Sequence, residues 1–97
     1  MKTFQVQKFG DASQMQVNEL ADLQPAANQV AIQVRAAGVN PADWYVVNGF
    51  FQLPPALPAT PGFEAAGEIL SVGAGVEGFA VGDCVLAVLP YLKDGTA

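Results

Sequence analysis

Residues 2–9, Lys-Thr-Phe-Gln-Val-Gln-Lys-Phe, alternate in character, with Phe4, Val6 and Lys8 on one face and Thr3, Gln5 and Gln7 on the other. Successive side chains of an extended chain point to opposite faces, so this pattern predicts a half-buried strand. Gly10-Asp11 turns the chain, and Met15, Val17 and Glu19 then alternate with Gln14, Gln16 and Asn18. A second strand is expected there. The stretch Pro25 to Gln29 breaks the pattern. Val30, Ile32 and Val34 alternate with Ala31, Gln33 and Arg35 to predict a third strand, which Gly38 closes.

The segment from Asn40 to Asn48 reads differently. Asn40 is a helix-capping residue type, Pro41 suits the first helical position, and Asp43 would lie in the first turn near the positive end of the dipole. Trp44, Val46 and Val47 supply a short apolar face, and Asn48-Gly49 is a C-terminal stop. A helix of about two turns follows. Residues 50–63 contain Pro54, Pro55, Pro58 and Pro61, which forbid both a ladder strand and a helix, so a stiff extended loop is expected. Extended structure resumes from Glu64 to Ser71, with Ala65, Gly67 and Ile69 on one face. Gly73 to Gly78 and Val81-Gly82-Asp83 are turns. The continuous apolar run from Cys84 to Leu89 predicts a strand buried on both faces, and the tail Lys93 to Ala97 carries no structural stop. The fold class is therefore mostly β, with five or six short strands around Gly and Pro turns and a short helix, as in a small barrel or sandwich.

Composition narrows the function. A chain of 97 residues holds one domain. Hydrophobic residues make up 52% and charged residues 13%, about half the usual charged share of roughly a quarter. This excludes disorder and points to apolar surface meant for a partner or for a further part of the same protein. Nine acids against four bases give a net charge of −5 with no basic patch, so phosphate-backbone binding is not expected. No histidine is present, which removes the commonest general base and metal ligand. The single Cys84 excludes an internal disulfide and a Cys-based zinc site, and fits a reduced, cytoplasmic setting. The N-terminus has no apolar signal-peptide core, and no run approaches the roughly 18 apolar residues of a membrane span.

Gly73-Ala74-Gly75-Val76-Glu77-Gly78 fits the G-x-G-x-x-G pattern of dinucleotide sites. That motif works only when a helix follows, so that its N-terminus meets the pyrophosphate. A strand begins near Cys84 and leaves no room for one, so a glycine-rich turn is the reading. Cys84 has no neighbouring base to activate it and is expected in the core. Glu64 is expected to be structural, hydrogen-bonding backbone or Arg35, and Asp43 to act as a helix-end acid. Asn40, Tyr45, Phe50 and Phe51 group polar and aromatic character around the helix and its exit loop. They form either a cap with core aromatics or a wall for a flat ligand.

One resemblance spans nearly the whole chain. Ala37-Gly38-Val39-Asn40-Pro41-Ala42-Asp43-Trp44-Tyr45, Asn48-Gly49-Phe50-Phe51, Leu57-Pro58, Pro61 to Ile69 and Val72 to Val85 follow one another in the order and spacing of a known family. They resemble the N-terminal domain of medium-chain dehydrogenases/reductases, in the zinc-independent quinone oxidoreductase branch. The resemblance implies a GroES-like fold, a partly open β-barrel with one or two short helices over residues 1–97. It also implies that the chain is a truncated part of a longer enzyme whose Rossmann domain binds NADPH and is absent from this chain.

By that resemblance, Asn40 stands where zinc-using relatives carry Cys, and Gly62-Phe63-Glu64 where they carry Gly-His-Glu. An amide and a phenyl ring cannot replace a thiolate and an imidazole, so no metal is expected. The implied activity is hydride transfer from NADPH to a quinone or an α,β-unsaturated carbonyl. Asn40 and Tyr45 are the implied catalytic residues, Asn40 also facing the cofactor, and Phe50, Phe51 and Phe63 the substrate-binding ones. Phe51 stands where several relatives have Tyr, and Val47 where many have Arg, so a more apolar pocket is expected. The isolated chain is expected to be inactive and to form a homodimer. The alternative is a stand-alone, co-chaperonin-like binding module, which the rigid proline loop disfavours.

Overall fold

The computed structural model describes residues 1–50 and 56–89. The expected loop over 51–55, Phe51 included, and the tail over 90–97 lie outside the described residues. The chain divides into two compact units, the first comprising Met1–Ala21, Gly38–Phe63 and Leu89–Ala97, the second Asp22–Ala37 and Glu64–Val88.

In the first unit, β1 (Lys2–Val6) pairs antiparallel with β2 (Met15–Glu19), in a register running from Lys2 opposite Glu19 to Val6 opposite Met15. A single 3-10 turn, Ala12–Gln14, joins them. Asp11 caps it: its carboxylate accepts from the Ser13 N–H at 2.9 Å and from the Ser13 hydroxyl. These bonds hold the Asp11 carboxyl below the ordinary aspartate range. Val6 also exchanges two backbone hydrogen bonds with Ala59, at 2.8 and 3.0 Å. The proline-rich loop thus contributes one bridge to the first sheet and no ladder strand among its described residues.

The expected helix is present as α1 (Pro41–Asn48). Its end is a Schellman stop. Gly49 adopts a left-handed φ of 77°, its N–H bonds the Val46 carbonyl at 3.3 Å, and the Phe50 N–H bonds the Tyr45 carbonyl at 3.0 Å. Helix α1 turns Val46 and Val47 inward against Val6 and Ala59, and Phe9, Met15 and Phe63 pack onto this cluster. Gln5, expected on the polar face, is buried. It is satisfied there by Thr60 Oγ1, to which it donates at 3.2 Å, and by Asn18 Nδ2, which donates to it at 2.9 Å.

The second unit is an antiparallel sheet of β3 (Val30–Ala36), β4 (Glu64–Val72) and β5 (Cys84–Val88), with β4 in the centre. The pairing of β3 with β4 shifts register between Ala31 and Ile32 and again between Val34 and Ala36. Ala65 and Ile69 are buried, as the alternation along β4 predicts. The glycine-rich segment from Gly73 to Gly78 is a turn with no helix after it.

Strand β5 departs from expectation. It was predicted to be buried on both faces and to hold Cys84 in the core. Among the described residues it pairs only with β4, and its exposure alternates. Leu86 is 88% and Val88 90% exposed, and Cys84 is an exposed free thiol. A continuous apolar run specifies a strand but not its place in the sheet. An edge position leaves one face and one backbone edge uncovered. The fold is thus mostly β with one α-helix, and neither sheet closes on itself among the described residues.

Candidate active site

The start of α1 is where chemistry-bearing residues meet. Asn40 is the N-cap, extended at φ −127° and ψ 160°, and Pro41 follows at the first helical position. Asn40 and Asp43 are arranged as a capping box. The arm that is fully hydrogen-bonded runs from the Asn40 N–H to Asp43 Oδ2, at 2.8 Å. The Asp43 N–H bonds the Asn40 backbone carbonyl at 2.9 Å and is also the partner of the Asn40 side-chain oxygen in the box. The helix therefore starts without consuming the Asn40 amide N–H groups. Asp43 Oδ1 and Asn48 Oδ1 are both buried without a hydrogen-bond partner.

Tyr45 lies on α1 beyond the cap and is 47% exposed, and Phe50 follows the Gly49 stop with 74% exposed. Phe63 is half-buried against the Val46–Val47 cluster. Asn40 and Asp43 are in direct contact, and Tyr45, Phe50 and Phe63 belong to the same unit. Phe51 lies outside the described residues. Glu64 does not pair with Arg35. It is exposed at the start of β4, and Arg35 instead reaches Glu68 at 3.7 Å on the sheet surface. The register explains the exchange, because Glu68 stands opposite Gln33 whereas Glu64 falls beyond the last paired residue of β3. Such an exposed pair contributes little to stability.

Among the described residues, no three His, Cys, Asp or Glu side chains are grouped to hold a metal. No helix among them is long and apolar enough to cross a membrane. An open groove of about 390 Å³ lies in the second unit, walled by residues such as Val30, Ile32, Ile69, Val76, Phe79 and Val85. None of the residues expected at the site lines it. Sequence reasoning did not find this groove. Its signal is the alternation of β3 and β4, which puts aliphatic side chains on one sheet face.

Residues 26–96 match the alcohol dehydrogenase GroES-like domain. The chain belongs to this family, the N-terminal domain of medium-chain dehydrogenases/reductases, and its relatives place it in the quinone oxidoreductase branch. It is 42% identical over 89 residues to the quinone oxidoreductase of Sus scrofa, covering 91% of this chain and 27% of that protein. It is likewise 42% identical over 76 residues to the mitochondrial enoyl-[acyl-carrier-protein] reductase of Caenorhabditis elegans, covering 78% of this chain and 22% of that protein. The crystal structure of Escherichia coli quinone oxidoreductase complexed with NADPH matches with a TM-score of 0.88 at 33% identity, over 95% of this chain and 28% of that one. The chain thus spans about a quarter of the length of the relatives it matches.

Proposed function

We propose that the protein carrying this chain is an NADPH-dependent oxidoreductase that reduces quinones or α,β-unsaturated carbonyls. These 97 residues form its substrate-side domain. The relatives support the reaction class, since they include quinone oxidoreductases and an enoyl reductase. The observation that carries the site assignment is the Asn40 amide, held at the helix start by its oxygen in the capping box while its N–H groups stay outside the cap. Bound NADPH supplies the hydride. As it arrives, the substrate carbonyl oxygen becomes more anionic, and the Asn40 amide N–H and the Tyr45 hydroxyl donate hydrogen bonds to it. Asn40 also orients the nicotinamide. Phe50 and Phe51 give the substrate a flat apolar wall, and Phe63 backs it from the core cluster. Asn40 and Phe63, at the positions of zinc ligands in other relatives, leave the reaction to an electrophile that is already activated. The larger part of the cofactor site belongs to a Rossmann domain outside these residues. The exposed free thiol of Cys84 suits a reducing, cytoplasmic setting.

The test is oxidation of NADPH by the full-length protein with a panel of quinones and enones, beside reduction of NADP+ with simple alcohols. Turnover is expected with the first two classes and not with alcohols. The 97-residue chain alone is expected to be inactive. Alcohol oxidation without quinone or enone reduction would overturn the reading.

A homodimer is part of the same proposal. In the antiparallel pairing of β4 with β5, Val85 and Ala87 direct their backbone groups toward β4, in phase with the Leu89 N–H that bonds the Phe63 carbonyl at 2.7 Å. Cys84, Leu86 and Val88 therefore present their N–H and C=O groups along an edge that is open among the described residues, beside the exposed Leu86 and Val88 side chains. Such an edge invites a second strand. Light scattering on the 97-residue chain at tens of micromolar is expected to give about twice its 10.1 kDa mass. Leu86→Lys is expected to return it to a monomer. A wild-type chain that stays monomeric would refute the pairing.

A further inference from the structure

The two carboxylate oxygens of Asp43 are in different situations. Oδ2 accepts the Asn40 N–H at 2.8 Å, while Oδ1 is buried with no hydrogen-bond partner. A buried acceptor without a donor costs free energy, and such a group in a native structure calls for a reason. Capping alone does not supply one. An N-cap asparagine ordinarily turns its side-chain oxygen onto the N–H of the second or third helical residue. Here that N–H, on Asp43, faces both the Asn40 backbone carbonyl, at 2.9 Å, and the Asn40 side-chain oxygen of the capping box, which leaves the amide N–H groups outside the cap. The backbone of Asn40 is thereby held from both sides, its N–H by the Asp43 carboxylate and its carbonyl by the Asp43 N–H. Pro41 fixes the next φ. Of the Asn40 side chain, the amide oxygen belongs to the box and the amide N–H groups stay outside it.

We propose that Asp43 is a positioning residue: its carboxylate clamps the backbone of Asn40 so that the Asn40 side-chain amide stays available to the substrate carbonyl. The proposal rests on the role assigned to Asn40 above. It assigns Asp43 a task beyond ending a helix, and the desolvated Oδ1 is what that placement costs. A small misplacement of a group that orients substrate lowers turnover steeply, by on the order of 10²-fold for about 1 Å.

The experiment is a double-mutant cycle in the full-length enzyme, reading kcat and KM for a quinone together with thermal melting. Asp43→Ala is expected to lower kcat by up to about 10²-fold, with KM little changed. Asp43→Asn keeps an oxygen that can accept the Asn40 N–H and is expected to retain most of the activity. Because Asp43 acts through Asn40, the double variant Asn40→Ala/Asp43→Ala is expected to be no slower than Asn40→Ala alone. Should Asp43→Ala fail to fold, Asp43→Glu takes its place. It keeps the charge and the cap but shifts the carboxylate by one methylene, so a lowered kcat with an unchanged melt supports the clamp. Wild-type kcat in folded Asp43→Ala or Asp43→Glu, or losses that multiply in the double variant, overturns the clamp while leaving the role of Asn40 standing. Wild-type turnover in Asn40→Ala overturns both.

Discussion

Asn40→Ala and Tyr45→Phe, made singly in the full-length protein, are each expected to lower kcat for quinone reduction by roughly 10²–10³-fold, the usual loss when one donor to a developing oxyanion is removed. The expectation separates cleanly from a structural effect. An N-cap asparagine that bonds the helix typically costs about 0.5–2 kcal/mol when replaced by alanine. Asn40 shares the Asp43 N–H with its own backbone carbonyl, and the Asp43 carboxylate also holds the helix start. Asn40→Ala should therefore lose no more than about that amount of stability while turning over far more slowly. Tyr45 is about half exposed, and removing its hydroxyl leaves the ring in place. Donors that act mainly on the transition state lower kcat and kcat/KM together. A rise in KM at constant kcat would return both residues to simple substrate binding. Unchanged kinetics in both variants would return them to capping and packing.

Much of the fold was legible because local rules and tertiary burial agreed. Period-two alternation located β1 to β4, and Asn40-Pro41 with Asn48-Gly49 bracketed α1 within a residue. The glycine-rich turn was separable from a dinucleotide site because the spacing to Cys84 leaves no helix. The misreadings share a cause, since each depended on which elements lie next to one another. The apolar run from Cys84 read as an interior strand, yet β5 is an edge among the described residues. Gln5 read as a solvent residue, yet Thr60, 55 positions away, meets it inside. Arg35 was one of two partners expected for Glu64, backbone being the other, yet the β3–β4 register places Glu68 within reach of Arg35. At the site, the residue types and the capping pattern were visible in sequence, and Asp43 was recognised as a helix-end acid. What no pattern reveals is that one Asp43 oxygen is buried without a hydrogen-bond partner.

Gly67→Ala is expected to destabilise the second unit strongly. Gly67 lies mid-strand in the central β4, opposite Val34 on one side and Val85 on the other. A Cβ built there would stand 2.0 Å from the Gln33 carbonyl oxygen, 2.9 Å from its carbonyl carbon and 3.0 Å from Ile32 Cγ2. The first two obstacles are backbone of the neighbouring strand, so no side-chain rotation relieves them. Only a separation of β3 from β4 would, and that breaks ladder hydrogen bonds beside the buried Ile69. Overpacking a tight interior costs about 1–3 kcal/mol and occasionally more, and a clash with backbone belongs at or beyond the upper end. Small domains have roughly 5–15 kcal/mol of total stability, and about 1 kcal/mol moves Tm by roughly 4–8 °C at this size. A drop in Tm of more than about 15 °C is therefore expected, or loss of the cooperative transition. Gly10→Ala is the matched control. Its Cβ would meet only the flexible Gln14 side chain, at 3.2 Å, and a glycine replaced where the backbone permits alanine is neutral or slightly stabilising, by up to about 1 kcal/mol. Circular dichroism melts of the two variants beside wild type decide it. A Gly67→Ala protein melting within a few degrees of wild type would mean that β3 and β4 part without cost and that this close approach of strands is not part of what holds the sheet.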